Sequence, residues 1–186
     1  MAKKILILNG SPRLNGNTHA LIEKFSEGAK ESGNEVTTFD LIKMKIHGCL
    51  GCYKGGKDLS SPCVQKDDME KIYPSYRECD ILVLASPMYY WSISGELKCT
   101  FDRLFAVAEC DPHYENPKKD VILLVASEGD TEDNFKPLKD YYLALLDKLG
   151  WKNLGYICAG GNVAIGDITN KVEQLNSAYE LGKSIK

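Results

Sequence analysis

The sequence has no hydrophobic run long enough to cross a membrane and no excess of positive charge. None of its apolar segments approaches the roughly 20 residues that a membrane helix requires. Lysine and arginine number 23 against 26 aspartate and glutamate residues, so the formal net charge is −3. A chain of this charge offers no basic footprint for the phosphate backbone of nucleic acids. We therefore expect neither a membrane protein nor a nucleic-acid-binding protein.

The sequence also lacks linkers, low-complexity tracts and internal repeats. Its 186 residues and 44% hydrophobic content predict a single domain, residues 1–186, with enough apolar material for a core. No export signal precedes the first apolar segment, which begins directly after Lys3. The odd number of seven cysteines argues against a disulfide framework. We expect a cytoplasmic protein with reduced thiols, a metal site or redox chemistry.

Apolar runs of strand length alternate with amphipathic segments of helical length along the chain. Strands are predicted at 4–9, 35–40, 80–86, 120–127 and 152–159. Helices are predicted at 18–32, 67–78, 94–108, 135–149 and 170–185, with an irregular loop at 48–63. Three of the strands are apolar on both faces, which is typical of a parallel sheet covered by helices on each side. The sequence therefore predicts a doubly wound α/β three-layer sandwich.

The loop after the first strand carries a ligand-binding pattern. Residues 9–18 (NGSPRLNGNT) combine hydroxyls, amides, an arginine and two glycines directly before a helix. The N–H groups of a helix N-terminus and an arginine fork bind phosphate, and Ser11 and Thr18 can add hydroxyl donors. The alternative is an ordinary capped helix that follows a turn. Because ligands bind beyond the carboxyl ends of the strands in such sheets, we favour a phosphate site.

Three known phosphate motifs are missing from this loop. It has no Gly-Lys-Ser/Thr ending of a triphosphate P-loop, and Gly10 and Gly16 lack the Gly-x-Gly-x-x-Gly spacing. It has no cysteine, which excludes a Cys-loop phosphatase. A monophosphate held by hydroxyls and backbone amides remains, and flavin mononucleotide (FMN) on a flavodoxin-like sheet fits that description. Such a sheet has the strand order 2-1-3-4-5, which we expect here.

The loops after the third and fourth strands supply a place for the flavin ring. Residues 87–91 (PMYYW) put flat or polarizable side chains at the same sheet edge, and a helix start near Ser94 directs N–H groups toward it. Residues 127–130 (SEGD) add small donors and backbone access. The alternative for the aromatic residues is packing within the loop or a subunit interface. Residues 160–162, after the fifth strand, either approach the ring or simply form a turn.

Together these motifs resemble the NAD(P)H-dependent FMN reductases and iron–sulfur flavoproteins, which have a flavodoxin-like fold. The resemblance covers the chain essentially end to end. The matching segments are 10–13 (GSPR), 17–18 (NT), 49–52 (CLGC) with Cys63, 67–69 (DDM), 85–90 (ASPMYY), 94–98 (SGELK) and 101–103 (FDR). The resemblance implies non-covalently bound FMN and a homodimer in which the partner chain closes part of the flavin pocket.

The resemblance also implies which residues contact FMN. The phosphate would lie at Ser11, Arg13, Asn15, Asn17 and Thr18. The ring would lie on Pro87, Met88, Tyr89, Tyr90 and Trp91, and on Ser127, Glu128, Gly129 and Asp130. Lys98, Asp102 and Arg103 fall on the helix after the ring loop, and we interpret Asp102–Arg103 as a structural or interfacial pairing.

The cysteine pattern departs from that of the cluster-bearing members. They carry a third cysteine soon after the Cys-x-x-Cys pair, whereas this chain has glycines at 55–56 and keeps only Cys49, Cys52 and Cys63. A [4Fe–4S] cluster normally needs four thiolates, so we expect no cluster and no bound metal. Three alternatives remain open for these thiols: a zinc site completed by His47, a redox pair, or inert side chains.

We expect an oxidoreductase in which FMN carries the chemistry, because no Ser–His–Asp or Cys–His arrangement is visible. Electrons would pass from NADH or NADPH through FMN to a quinone, an azo or nitro compound, free flavin or a protein. One alternative is an FMN electron-transfer protein, resembling flavodoxin or an iron–sulfur flavoprotein, without nicotinamide activity. The other is a zinc-binding interaction or sensor protein on the same fold. No side chain is assigned a catalytic role of its own.

Overall fold

The computed structural model describes residues 2–186, which form a five-stranded parallel sheet with helices on both faces. The strands are β1 (Lys4–Asn9), β2 (Glu35–Asp40), β3 (Ile81–Pro87), β4 (Asp120–Ala126) and β5 (Lys152–Ala159). The α-helices are α1 (Asn17–Glu31), α2 (Met69–Glu78), α3 (Gly95–Arg103), α4 (Phe105–Ala108), α5 (Glu132–Leu149) and α6 (Val172–Lys183); 3₁₀ helices lie at Leu41–Lys43 and Asp167–Asn170. The order β2-β1-β3-β4-β5, parallel throughout, confirms the predicted flavodoxin-like fold.

The central strands are apolar on both faces because each face meets its own hydrophobic core. In β1, Leu6 and Leu8 pack into one core, while Ile5 and Ile7 pack into the other. Residues of α2, α3 and α5 complete the first core, and residues of α1 and α6 complete the second. The alternation of side chains along a strand produces this division, so the apolar runs could not be half-exposed strands.

Helix boundaries differ from the prediction more than strand boundaries do. Helix α5 begins at Glu132 instead of 135, because the Thr131 hydroxyl caps it by accepting from the Asn134 N–H at 3.2 Å. The predicted helix 94–108 is divided at Leu104, whose N–H bonds to Phe101 O, three residues back instead of four. Among residues 2–186, no helix has both the length and the apolar character needed to span a bilayer.

Helices α1 and α6 pack in unusually close contact through two glycines. A Cβ atom on Gly28 would lie 2.1 Å from Tyr179 O, and one on Gly182 would lie 2.1 Å from Phe25 O. Both distances are far below van der Waals contact with backbone atoms, which cannot swing away as a side-chain end can. Glycine at these two positions therefore allows the C-terminal helix to lie against α1.

We expect Gly182→Ala to lower the free energy of unfolding by about 1–3 kcal/mol, the usual cost of overpacking a rigid core. Denaturant unfolding followed by circular dichroism measures the change. Gly95→Ala is the matched control, since no atom lies within 4 Å of a Cβ built there. Equal stability of the two variants would show that α6 can move away from α1 at little cost.

Candidate functional site

The loop after β1 folds into a compact turn around Ser11. The Ser11 N–H donates to Asn9 Oδ1 at 3.0 Å, and the Ser11 hydroxyl bonds both Arg13 O and the Arg13 N–H, at 3.1 and 3.2 Å. Ser11 and Thr18 are buried, whereas Arg13 and Asn15 are exposed. Helix α1 starts directly after this turn, so its unpaired N–H groups lie at the same sheet edge.

Two adjoining cavities lie at this carboxyl edge of the sheet, and together we call them the edge cleft. The first, about 260 Å³, is lined by Ser11, Arg13, Gly16, Asn17, Thr18, Pro87, Met88, Tyr89, Ala126, Ser127, Glu128, Asn162 and Val163. The second, about 310 Å³, is lined by Met88, Tyr89, Tyr90, Trp91, Ser127, Glu128, Gly129 and Asn134. Met88, Tyr89, Ser127 and Glu128 line both cavities, so the cleft runs from the β1 loop to the aromatic loop after β3.

The structure brings the predicted site residues together in the edge cleft, with two exceptions. Asn15 is exposed and is not among the residues that line either cavity. Asp130 packs beside the loop after β5, since a Cβ on Gly160 would lie 2.4 Å from the Asp130 Cα. Conversely, Asn162 and Val163 line the cleft but were not among the predicted contacts. The only signal in the sequence was the glycine-rich turn that follows the fifth strand.

The aromatic loop after β3 forms a two-residue turn. Tyr89 and Ser92 exchange backbone hydrogen bonds of 3.0 Å in both directions, and the two residues between them, Tyr90 and Trp91, have φ angles of 47° and 57°. Left-handed conformations of bulky residues cost about 1–3 kcal/mol each and cluster at functional sites. The turn leaves Tyr90 95% exposed and Trp91 52% exposed.

Ser94 joins the aromatic loop to the β1 loop. Its hydroxyl donates to Gly10 O at 2.7 Å and accepts from the Leu97 N–H at 3.3 Å, which caps α3. Its own N–H donates to Ser86 Oγ at 2.8 Å. A Cβ on Gly10 would lie 2.6 Å from Ser94 Oγ, so only glycine permits this approach. The α3 N-terminus is thereby fixed beside the β1 loop, and its dipole adds positive potential to the same edge.

The loops after β4 and β5 form the far wall of the edge cleft. Backbone bonds of 2.8 Å join Asn162 N–H to Ser127 O and Gly161 N–H to Glu128 O. The Asn162 side chain is buried, and its Nδ2 donates to Ala159 O and Gly160 O at 3.0 Å. Its Oδ1 is a buried acceptor with no donor in the described chain, which is a costly arrangement for a polar atom.

Two side chains of the β1 loop region contact the segment after β5. Arg13 Nη1 donates to Val163 O at 3.1 Å. Asn17 Nδ2 donates to Ala164 O at 2.9 Å, and Asn17 Oδ1 accepts from the Ile168 N–H at 3.3 Å. Both polar groups of the Asn17 side chain are therefore engaged within the protein, whereas Arg13 keeps further donors free for a ligand.

The cysteine-containing loop encloses a separate cavity of about 330 Å³. Its lining residues are Cys49, Leu50, Gly51, Cys52, Tyr53, Gly55, Cys63, Gln65, Asp102, Arg103, Phe105, Ala106 and Glu109. All seven cysteines are free thiols. Among residues 2–186, no three His, Cys, Asp or Glu side chains lie together in an arrangement that could hold a metal ion. The geometry gives no support to a zinc site built from these thiols and His47.

A buried ion pair fixes this loop to α3. Arg103 and Asp67 are 1% and 4% exposed, and two bonds of 2.7 and 3.1 Å join them side by side. Asp67 also accepts from the N–H groups of His47 and Met69, and Arg103 also donates to His47 O. Asp102 instead pairs with Lys98 on the surface, so the expected Asp102–Arg103 pairing is not formed.

Burial alone would raise the pKa of Asp67, but the Arg103 side chain and the two N–H donors lower it below its ordinary value. A carboxyl whose pKa is lower in the folded than in the unfolded chain stabilises the fold above the unfolded pKa. That contribution disappears as the pH falls through the folded pKa. The pair therefore makes the anchoring of the cysteine loop sensitive to acid.

Comparisons with known proteins place these features in a family context. Residues 3–134 match the model of the NADPH-dependent FMN reductase family. An iron–sulfur flavoprotein of Archaeoglobus fulgidus is 30% identical over 176 residues, which are 95% of this chain and 76% of that protein. An FMN-dependent NADPH-azoreductase of Staphylococcus saprophyticus is 34% identical over 54% of this chain and 52% of its own length. The structure of an NAD(P)H:quinone oxidoreductase from Methanothermobacter marburgensis has a similar fold, with a TM-score of 0.78, 20% identity and coverage of 98% and 96% of the two chains.

We expect Asp67→Asn to lower the free energy of unfolding by about 3 kcal/mol near neutral pH, because it leaves a buried arginine without its counter-charge. The difference from the native chain should shrink in acid, where the native carboxylate is also protonated. Denaturant unfolding at several pH values measures both effects. Asp102→Asn, which removes an exposed pair, serves as control and should leave stability nearly unchanged. A pH-independent difference would contradict the role of the Asp67 charge.

Proposed function

This chain belongs to the NADPH-dependent FMN reductase family, and from that premise we propose where its FMN lies and what its residues do there. It is an oxidoreductase with FMN as its cofactor and a reduced nicotinamide as its electron donor. The continuity of the edge cleft carries the proposal: the turn with Ser11, Arg13 and Thr18 lies at one end and aromatic side chains at the other.

We propose that the FMN phosphate lies at the β1 loop. Thr18 would donate a hydroxyl hydrogen bond, Arg13 would donate from its guanidinium, and the first N–H groups of α1 would complete the shell. Ser11, whose hydroxyl already donates to Arg13 O, would contribute by holding the turn in shape. Asn17 would contribute through its backbone N–H, since its side chain already holds the segment after β5. Asn15, exposed outside the lining, remains the weakest of the predicted phosphate contacts.

We propose that the ring lies between the loops after β3 and β4. Residues 87–89 and 127–129 would flank it and exclude water, while 90–91 would border its open side. Asp130, which does not line either cavity, would lie at the edge of the ring site. When bound, FMN supplies the redox chemistry between the nicotinamide and the acceptor. The protein orients the partners, and the open aromatic side suits planar acceptors such as quinones, azo or nitro compounds, or free flavin.

The cysteine loop does not fit an iron–sulfur cluster, although relatives are named iron–sulfur flavoproteins. A Cβ on Gly55, in the stretch where cluster-bearing members have their third cysteine, would lie 2.5 Å from Glu109 Oε2 and 2.6 Å from Pro62 O. A cysteine there would displace the loop at Pro62, because a backbone oxygen cannot swing away as the Glu109 carboxylate can. We propose that Cys49, Cys52 and Cys63 hold no cluster and that FMN is the only redox centre.

An electron-transfer role without nicotinamide activity is the second candidate, supported by the same relatives.

We also propose that the chain works as a homodimer in the cytoplasm, where its free thiols stay reduced. A side chain as exposed as Tyr90, held in a strained turn, suits burial by a second copy. Tyr90→Asn keeps a residue that tolerates the left-handed conformation but removes the ring. We expect the variant to dimerise more weakly in sedimentation velocity experiments. A native chain that sediments as a monomer at all concentrations would contradict the dimer.

The phosphate assignment predicts a difference between FMN and riboflavin, which lacks the phosphate. We expect Arg13→Ala to weaken FMN binding roughly 10- to 100-fold, as loss of a charge-assisted hydrogen bond implies, with little effect on riboflavin. Quenching of flavin fluorescence on titration of the apoprotein measures both affinities. Native protein that binds both flavins equally would contradict the phosphate site.

The enzymatic assignment is tested on the same preparation. Purified protein should show flavin absorbance without stoichiometric iron or zinc, and it should oxidise NADH or NADPH in the presence of a quinone. Flavin binding without nicotinamide oxidation would favour the electron-transfer role. Stoichiometric zinc without flavin would favour the sensor protein instead.

A further inference from the structure

The segment after β5, residues 160–171, lies outside the family match at residues 3–134 but contacts the proposed phosphate loop. Arg13 donates to Val163 O, and Asn17 donates to Ala164 O. These contacts join residues about 150 positions apart in the chain. The two side chains that reach the segment both belong to the proposed phosphate site, so the segment is part of the wall of that site.

Asp167 determines the shape of this segment. Its Oδ2 accepts from the Val163 N–H at 2.9 Å and from the Ala164 N–H at 2.7 Å. Gly166, with φ of 89°, adopts the left-handed conformation that returns the chain toward residue 163. Two hydrogen bonds to one carboxylate oxygen hold residues 163–167 in a tight turn, and such charge-assisted bonds are stronger than neutral ones.

The peptide group between Val163 and Ala164 connects Asp167 to Arg13. Its N–H donates to Asp167, and its carbonyl accepts from Arg13 Nη1. In a trans peptide the N–H and the carbonyl point in opposite directions, so the carboxylate on one side turns the oxygen toward the guanidinium on the other. Asp167 thus acts on Arg13 through one rigid planar group without touching it.

This arrangement fixes a side chain that would otherwise be mobile. Arg13 is exposed, and a free arginine loses rotamer entropy when it binds a ligand. With Nη1 held by Val163 O, the guanidinium is oriented before the ligand arrives, while its remaining N–H donors stay available. Pre-organisation of this kind raises affinity by reducing the entropy lost on binding.

We propose that Asp167 is a positioning residue for the FMN phosphate and that the 163–167 turn makes the site selective for phosphorylated over unphosphorylated flavin. The proposal rests on the proposed function, because it requires the phosphate to lie at the β1 loop. It assigns the phosphate selectivity partly to a segment outside the family match.

The test compares FMN with riboflavin in variants of the apoprotein, residues 1–186. We expect Asp167→Ala to weaken FMN binding about tenfold, as loss of an oriented charge-assisted contact implies, and to change riboflavin binding less than about twofold. Asp167→Asn keeps one acceptor oxygen, so its FMN affinity should lie between those of the native protein and Asp167→Ala. Thr169→Val is the matched control: it removes a hydrogen bond to Gly166 O in the same segment but leaves the Val163 and Ala164 bonds intact.

A double-mutant cycle separates positioning from general damage. If Asp167 acts through Arg13, Asp167→Asn should weaken FMN binding in the native background but hardly at all in the Arg13→Ala background. Equal loss of FMN and riboflavin in the Asp167 variants, or additive losses in the cycle, would overturn the proposal. Native protein that shows no preference for FMN over riboflavin would instead contradict the proposed function. The two failures are therefore distinguishable.

Discussion

Parallel pairing of β1 with β3 is the constraint on which the edge cleft depends. The two strands pair from Ile5 opposite Ile81 to Asn9 opposite Ala85, and Gly10 N–H extends the ladder by donating to Ala85 O at 2.8 Å. β1 ends opposite Ala85 and β3 continues two residues further to Pro87, so the loops that follow them leave the same edge of the sheet. Ser94 then joins these loops through Gly10 O. The turn after β1 and the aromatic turn after β3 become neighbours because parallel strands place their carboxyl ends together.

The sequence was sufficient to predict the features that depend on patterns of residues close together in the chain. The bounds of β1, β2 and β5 agree with the prediction. β1 is a continuous apolar run typical of a buried strand, whereas β2 has the alternating pattern typical of a more exposed strand. The rule that loops after parallel strands share an edge identified the loops of the cleft, and the family resemblance supplied the set of residues, twelve of which line it. Helix starts were less predictable. The start of α5 depends on one capping hydroxyl, Thr131, in a stretch that reads equally well as loop.

Contacts between distant polar groups could not be predicted from the sequence. Arg103 has an adjacent carboxylate in Asp102, but it pairs with Asp67, 36 residues away, because only Asp67 is buried beside it. Asn17 sits in a segment that resembles a phosphate loop, yet its side chain bonds residues 164 and 168. In both cases composition identifies a polar residue, while its partner depends on how two loops meet after folding. Long-range polar pairing is therefore where sequence interpretation fails.

The contacts between the β1 loop and the segment after β5 also link cofactor binding to the stability of the C-terminal part of the chain. A ligand that binds only the folded site stabilises every element that the site requires. Asn17 and Arg13 connect the first turn of α1 to residues 163–168, and Gly182 packs α6 against the same helix α1. A bound phosphate would therefore stabilise α1, the 163–167 turn and α6 together. If the phosphate lies at the proposed site, the C-terminal quarter of the chain contributes to binding, because Arg13 and Asn17 bond to residues 163–168.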